Sequence, residues 1–435
     1  MQIKVRSLRE ALGLLGPVVP KKALLPVLIN VLLKDGQAIA TDLEVTVAVE
    51  LPDVEGRCLI PYHSVADLLK RVPGAEILTI EQEGGKLNLT WSSGKASYEV
   101  PDPEDYPPLP QVSGLPEQTI EQTVDGDDLV RALLSVVDYC STKEDRPVLN
   151  GVALLLMENV QVASADGFRL ALKTLPLALP AAEGLGEVII PAKAVRVLGR
   201  LWDKTPRVAP LDSSLVRVIT AKKQLELALS SQMLKVSFGA VTLTTMLIQG
   251  TPPKYRQLIP EDTPLKVRVF APDLERAVRR VQAVARKSRG GVRLTWSEDM
   301  MTVSSRSDKK SAEAVVAVAT EGGDGRVALD VDYLLTYLQG KESLVEMGVT
   351  DTQSPVFFRH GSSPLVLIMP LLVEWEPKSA VVAEAEQVAE QAQDETEAEE
   401  KPSEGERNGI ARAKPKAPRY IGALAGGGLP SLTRH

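Results

Sequence analysis

Cysteine, histidine and long apolar runs are all scarce in this chain, and each scarcity removes a class of function. Of 435 residues only two are cysteine, Cys58 and Cys140. Two thiols cannot build a disulfide framework, and both lie in apolar stretches where a cysteine is normally a small buried hydrophobe, so a reducing compartment is expected. The three histidines, His63, His360 and His435, are scattered, and no HExxH, CxxC, GxxxxGKS/T or GxSxG pattern occurs. Zinc hydrolysis, phosphate-loop chemistry and serine hydrolysis therefore lack their residues. The GGDG at Gly322 reads as a turn, and no carboxylate cluster for metal-assisted catalysis can be assembled from spacing. No catalytic residue, metal ligand or cofactor is assigned. No run approaches the roughly 18 apolar residues of a membrane span, and MQIKVRSLRE carries no signal-peptide core. A soluble, cytoplasmic protein that is not an enzyme is expected, with no membrane contact.

What the chain has instead is a threefold repeat. PVLINVLLKDGQAIATDLEVTVAV from Pro26 returns as PVLNGVALLLMENVQVASADGFRLAL from Pro147 and, more faintly, as GGVRLTWSEDMMTVSSRSDKKSAEAVVAV from Gly290. Each copy follows a helical segment (from Ser7, Asp127 and Asp273) and precedes a short apolar strand feeding a second helix (from Gly56, Gly186 and Asp324). The period, roughly 120 to 145 residues, is long enough for each unit to own a core. Leu8, Ala11, Leu12 and Leu15 recur at helical spacing behind a capping box of Ser7 and Glu10, ending at Gly16 and Pro17. Asp127 or Asp128 caps the second such helix, and Pro272 with Asp273 opens the third. Leu87, Leu89 and Trp91 alternate as a strand does, as do Val236 and Phe238, then Val241 and Leu243, around Gly239. Two helices on antiparallel strands per unit make an α+β fold of three repeated domains: 1–115, 118–250 and 253–375. Asp42 and Asp166 fall at matching places, as turn residues would.

The net charge of -7 is unevenly laid. Residues 384–406 are acidic and the end of the chain after Glu406 is basic, so 376–435 reads as a disordered tail. In the body, Arg276, Arg279, Arg280 and Arg286 share one helix, and Lys193, Arg196, Arg200 and Lys204 another. Basic helices in an acidic body imply a sorted surface. Helices about 10 to 12 Å across, six around a ring, leave a hole of roughly 10 Å; twelve, from two chains head to tail, leave roughly 30 Å, enough for a DNA duplex. Strands would then form the outer wall, and a head-to-tail contact with that rotation closes.

The segments LPVLINVLL, ATDLEV, DYPPLP at Asp105, RPVLNG at Arg146, SADGFRLAL at Ser164, VIIPAKA at Val188, PPKYRQLIP at Pro252, RGGVRL at Arg289 and LIMPL at Leu367 resemble, in order and spacing, the bacterial sliding clamps, the beta subunits of the replicative DNA polymerase. The resemblance runs from Met1 to about Leu372. It implies a homodimeric ring of clamp domains around double-stranded DNA, bound without sequence preference. It also implies loading by an ATP-driven clamp loader and a non-catalytic processivity role toward the polymerase catalytic subunit and other proteins carrying a clamp-binding motif. Carried over by position, the DNA-facing candidates are Lys22, Lys143, Arg146, Arg196, Arg200 and Arg279, with Lys21 beside Lys22; for each, the plain alternative is a solvated surface charge. The partner-peptide pocket maps to Leu149, Gly167, Phe168, Arg169, Leu170, Pro253, Leu258, Leu367, Met369, Pro370 and Leu371, with core packing as the plain alternative. The subunit joint maps to Tyr106 and Val284.

Four departures stand out. Phe168 occupies a place where the family commonly has histidine, and the chain continues past Met369 and Pro370 as LLVEW where a basic ending is usual. RVAPLDSSLVRVITAKKQ, residues 207–224, has no counterpart in the other units and reads as an added hairpin or a lengthened strand. The tail's apolar end, GALAGGGLPSL, is expected to compete for or regulate the pocket through its high effective concentration there. The competing reading of the whole chain is an accessory or phage-type paralogue that gathers peptides with little encirclement of DNA; such a scaffold would keep the pocket and lose the basic helices, and this chain keeps both.

Overall fold

The computed structural model describes residues 1–375 apart from 111–118, 180–184, 206–222, 261, 262, 289, 308 and 362. The 207–224 segment, except Lys223 and Gln224, and the 376–435 tail thus lie outside the described residues.

One pattern, strand, helix, three strands, occurs six times. The first third holds β1 (Gln2–Lys4), α1 (Val5–Leu15), β2 (Asn30–Lys34), β3 (Gln37–Thr41) and β4 (Val45–Glu50), then β5 (Arg57–Pro61), α2 (Tyr62–Leu69), β6 (Ile77–Glu83), β7 (Lys86–Trp91) and β8 (Gly94–Glu99). The middle third repeats it with β9 (Ile120–Asp125), α3 (Gly126–Val136), β10 (Gly151–Leu155), β11 (Gln161–Ala165) and β12 (Arg169–Thr174), then β13 (Glu187–Pro191), α4 (Ala192–Lys204), β14 (Gln224–Leu229), β15 (Met233–Phe238) and β16 (Val241–Met246). The last has β17 (Leu265–Phe270), α5 (Ala271–Ala285), β18 (Gly291–Ser297), β19 (Met300–Ser307) and β20 (Lys310–Glu321), then β21 (Gly325–Asp330), α6 (Val331–Leu338), β22 (Leu344–Val349), β23 (Val356–Arg359) and β24 (Leu365–Ile368). Every strand pairing among the described residues is antiparallel, which confirms the α+β reading.

Sheets run across the boundaries between thirds. β4 pairs with β16, Val45 opposite Thr245 through Val49 opposite Val241, in an eight-stranded sheet ordered β5-β2-β3-β4-β16-β15-β14-β9. β12 pairs with β24, Arg169 opposite Ile368 and Leu170 opposite Leu367, within a twelve-stranded sheet. The third sheet, β1-β6-β7-β8, leaves β8 as an edge. Residues 310–317 of β20 pair with β19 on one side only, while residues 318–321 pair with β17 on the other.

The stripes expected at helical spacing largely pack inward: Leu8, Ala11, Leu12 and Leu15 of α1 are buried; of Leu129, Leu133, Val136 and Cys140 the first three are buried on α3 and Cys140 is buried beyond its end; of Leu274, Ala277, Val281 and Val284 on α5 the first three are buried and Val284 is half-buried. Two expected caps are not the ones used. α1 starts at Val5, directly out of β1, with Lys4 as its cap and no side-chain bond. Ser7 therefore sits inside the first turn, and the Glu10 carboxylate accepts from Arg6 Nε at 2.8 Å instead. In α3 the cap is Asp125, whose Oδ1 accepts from the amides of Asp127 (3.1 Å) and Asp128 (3.5 Å). Asp127 takes the indole N–H of Trp202 at 3.1 Å, tying α3 to α4. Asp125→Ala is expected to cost about 1 kcal/mol of stability, the usual value of an N-cap, measured by chemical denaturation. Pro61 and Pro191 precede α2 and α4 as caps, and Pro272 lies in the first turn of α5. Both cysteines are buried, and burial pushes each thiol pKa up to about 12, so at neutral pH they are protonated packing groups.

Candidate functional site

The β11–β12 turn builds the site where the middle and last thirds meet. Asp166 Oδ1 accepts from the amides of Phe168 (2.9 Å) and Arg169 (3.0 Å), closing a tight turn whose apex, Gly167, sits at φ +97°, a conformation that suits glycine. The matching Asp42 accepts from Glu44 (3.2 Å) and Val45 (3.0 Å), so both aspartates are turn residues. The turn holds Phe168 outward, 55% exposed, while its carbonyl accepts the amide of Met369 at 2.8 Å. Met369 is exposed as well, and so are Leu258, on the 3-10 turn Tyr255–Leu258, and Leu372.

Beneath this lip lies a separate apolar cluster that includes Leu170, Leu172, Leu367, Phe357 and Tyr255. Leu170 and Leu367 are paired in register and buried. They form the floor of the site, as does Leu149 the buried end of its own turn. Pro253 and Pro370 are half-buried at the ends of the two segments that carry Leu258 and Met369, and Leu371 is fixed by its amide to Ala328 O at 2.8 Å. Arg169 is held from four sides. Its Nε meets Asp166 Oδ2 at 2.8 Å, its Nη2 donates to Asp138 O at 2.8 Å, and its guanidinium lies over the rings of Tyr139 (5.1 Å) and Tyr333 (4.6 Å). Tyr333 belongs to α6, so this cation locks the two thirds together beside the lip. A hollow of about 670 Å³ crosses Gln2, Glu76, Ile77, Thr90 and Trp91 elsewhere on the chain, but it is shallow and open to solvent.

The basic candidates separate by partner. Lys21, Lys22 and Lys143 are exposed in loops, and Arg200 is exposed on α4; none makes an ion pair among the described residues. Arg196 reaches Asp138 (3.3 Å), and Arg279 is held by Glu275 (2.6 Å). Arg280, beside it on α5, is exposed and unpaired among the described residues, and the sequence candidates omitted it. Arg146 stands at the peptide-site turn, its Nη1 3.5 Å from where a Cβ on Gly167 would be. Of the two joint candidates, Val284 is half-buried on α5, whereas Tyr106 fills the chain's own core, 4% exposed with its hydroxyl toward Ile39 O. The parallel between DYPPLP and PPKYRQLIP was the available signal: Tyr255 of the second segment is buried in the same way.

The central-domain family of the DNA polymerase III beta subunit matches residues 123–254, and its C-terminal-domain family matches residues 256–371. Together they span more than half of the chain. The chain belongs to the beta sliding clamp family of DNA polymerase III. A beta sliding clamp from Caulobacter vibrioides is 27% identical to it over 394 residues, covering 86% of this chain and 100% of that one. One from Staphylococcus aureus is 24% identical over 393 residues, covering 84% and 96%. Among solved structures, a DnaN sliding clamp from Pseudomonas aeruginosa bound to griselimycin shares the fold with a TM-score of 0.74 at 24% identity, over 86% of this chain and 99% of that one. The role of this clamp is therefore that of a DNA sliding clamp in replication. Among its described residues no helix is long and apolar enough to cross a membrane.

Proposed function

We propose that two copies of this clamp join head to tail into a closed ring through which duplex DNA passes. In this reading the ring, without catalysis of its own, tethers the polymerase catalytic subunit and other partner proteins by the lip of Phe168, Leu258 and Met369. The observation that carries it is the pair of unused strand edges. Inside the chain, the last strand of one third's first half (β4, then β12) always pairs with the last strand of the next third's second half (β16, then β24). The same rule applied once more joins β20 to β8, and these two edges have no strand partner among the described residues. Head-to-tail pairing of identical chains satisfies both, and a ring closed in this way leaves neither of these two edges exposed. Domains at 1–115, 118–250 and 253–375 are the units of that ring. A clamp loader opens it, and the cytoplasm is its setting.

Enclosure replaces affinity in such a device, and the cations facing DNA supply only a weak, sequence-blind attraction. Loading the protein on nicked circular DNA and then linearising the circle tests the whole reading: a ring slides off the new ends, and a protein still bound after linearisation ends it. The unpaired cations should carry the residual attraction. Arg200→Ala or Arg280→Ala is expected to flatten the dependence of log K on log salt by about 0.9 for each phosphate no longer neutralised. Arg279→Ala removes a charge that Glu275 already half-satisfies and should change the slope less, as measured on short linear duplex.

A further inference from the structure

We infer that the junction of the first and middle thirds carries a second docking site, which takes an extended protein segment with one apolar anchor and a neighbouring lysine or arginine. The repeat places its parts. The turn Asp42, Leu43, Glu44 matches Asp166, Gly167, Phe168, with the same aspartate-to-amide bonds. Thr245 opposes Val45 as Ile368 opposes Arg169, so Met246 stands where Met369 does, one step past the paired strand. Thr245 Oγ1 donates to Glu44 O at 3.0 Å, fixing strand end to turn just as the Met369 amide fixes its own.

Two features of this twin point to an occupant. Leu43 holds φ +75° where its counterpart is glycine, and its side chain is 60% exposed; Met246, one step past the strand paired to this turn, is exposed as well. A β-turn that keeps a bulky apolar residue in the left-handed region, projecting into water, spends backbone energy that a glycine would save. The rim charge is also inverted. At the first site Arg146 adds a cation to the balanced Asp166–Arg169 pair. Here Lys193 meets both Asp42 (2.7 Å) and Glu44 (3.1 Å), leaving one carboxylate in excess. Burial works against the charge of Lys193, but its hydrogen bonds to the two carboxylates outweigh that and hold its pKa above the ordinary lysine value, so it stays a cation paired between them. A negative rim rejects phosphate and favours a basic flank. The floor differs too: Thr46 and Thr244, paired in register and buried, stand where Leu170 and Leu367 do, so the anchor rests on the lip of Leu43 and Met246.

The test titrates the full chain with two short fluorescent peptides sharing a Leu-Phe centre, one flanked by lysines and one by aspartates. Leu43→Gly suits the backbone better than leucine does, and Met246→Gln lies on the surface, so both variants keep the fold, checked by thermal melting. The lysine-flanked peptide is expected to bind, to lose about tenfold in affinity in each variant, and to be unaffected by Phe168→Ala. No saturable binding of it, affinity in both variants equal to the parent's, or loss on Phe168→Ala instead overturns the second site. Failure of the aspartate-flanked peptide to respond to Phe168→Ala would count against the first site alone.

Discussion

Val315→Pro is expected to leave each chain folded and to dissolve the ring. Residues 310–317 of β20 bond to β19 on one side, and the amide of Val318 points that way, donating to Asp299 O at 2.8 Å. Alternation along a strand then turns the amide of Val315 to the open side, where proline removes no bond the isolated chain makes. Val315 is 48% exposed, so its side chain leaves little core behind. Against the partner's β8 the same proline deletes a ladder donor and pushes its ring into the approaching strand, about 3 kcal/mol by the cost of proline inside regular structure. A two-chain ring has two such joints and the substitution strikes both, so the loss approaches 6 kcal/mol, roughly 10⁴ in the dimer dissociation constant. Sedimentation should show monomers at concentrations where the parent is dimeric, and retention on circular DNA should vanish. Ser97→Pro on β8 is the reciprocal case: Val100 donates to Gly85 O, so the Ser97 amide faces outward by the same alternation. A Val315→Pro protein that remains dimeric would mean that another surface carries the joint.

Much of this fold was legible because its signals are local. The helical stripes from Leu8 and Leu129, the alternation through Leu87 and Leu89, and the paired turn aspartates each depend on residues within a few positions of one another. The caps were misplaced by two to three residues for a related reason: each first helix of a third grows straight from its strand, so no loop residue marks the start, and the acids at Glu10 and Asp127 are claimed by Arg6 and Trp202. The joining of β4 to β16 and β12 to β24 spans nearly two hundred residues and leaves no local trace. Lip and floor were likewise merged in the sequence, because Phe168 and Leu170 look equally apolar; only the pairing of Leu170 with Leu367 under Tyr255 shows which is covered. The Arg279–Glu275 pair, four residues apart on one helix, could be read from spacing, whereas Arg196 finds Asp138 only through the packing of α4 on α3.

Replacing Phe168 and Met369 together by alanine should separate tethering from encirclement. Both side chains project from backbone fixed by the Phe168 carbonyl and Asp166, so truncation removes apolar area without moving the turn. Anchoring residues of this kind lose about 2 kcal/mol each on truncation. Two neighbours on one lip need not add fully, so affinity for a polymerase-derived peptide is expected to fall by roughly 10² to 10³. Retention on circular DNA, which depends on β8 and β20, should be unchanged, while processive synthesis collapses. The same lip contains no histidine, so peptide affinity at this surface should stay flat between about pH 6 and 8. Phe168→His tests that point from the other side: an imidazole beside Arg146 is disfavoured in its charged form, and affinity should become pH-dependent across that interval, weakening as the added cation forms at the acidic end. Equal peptide affinity in the double alanine variant and the parent would move the tether elsewhere on the ring, with the encircling strands untouched.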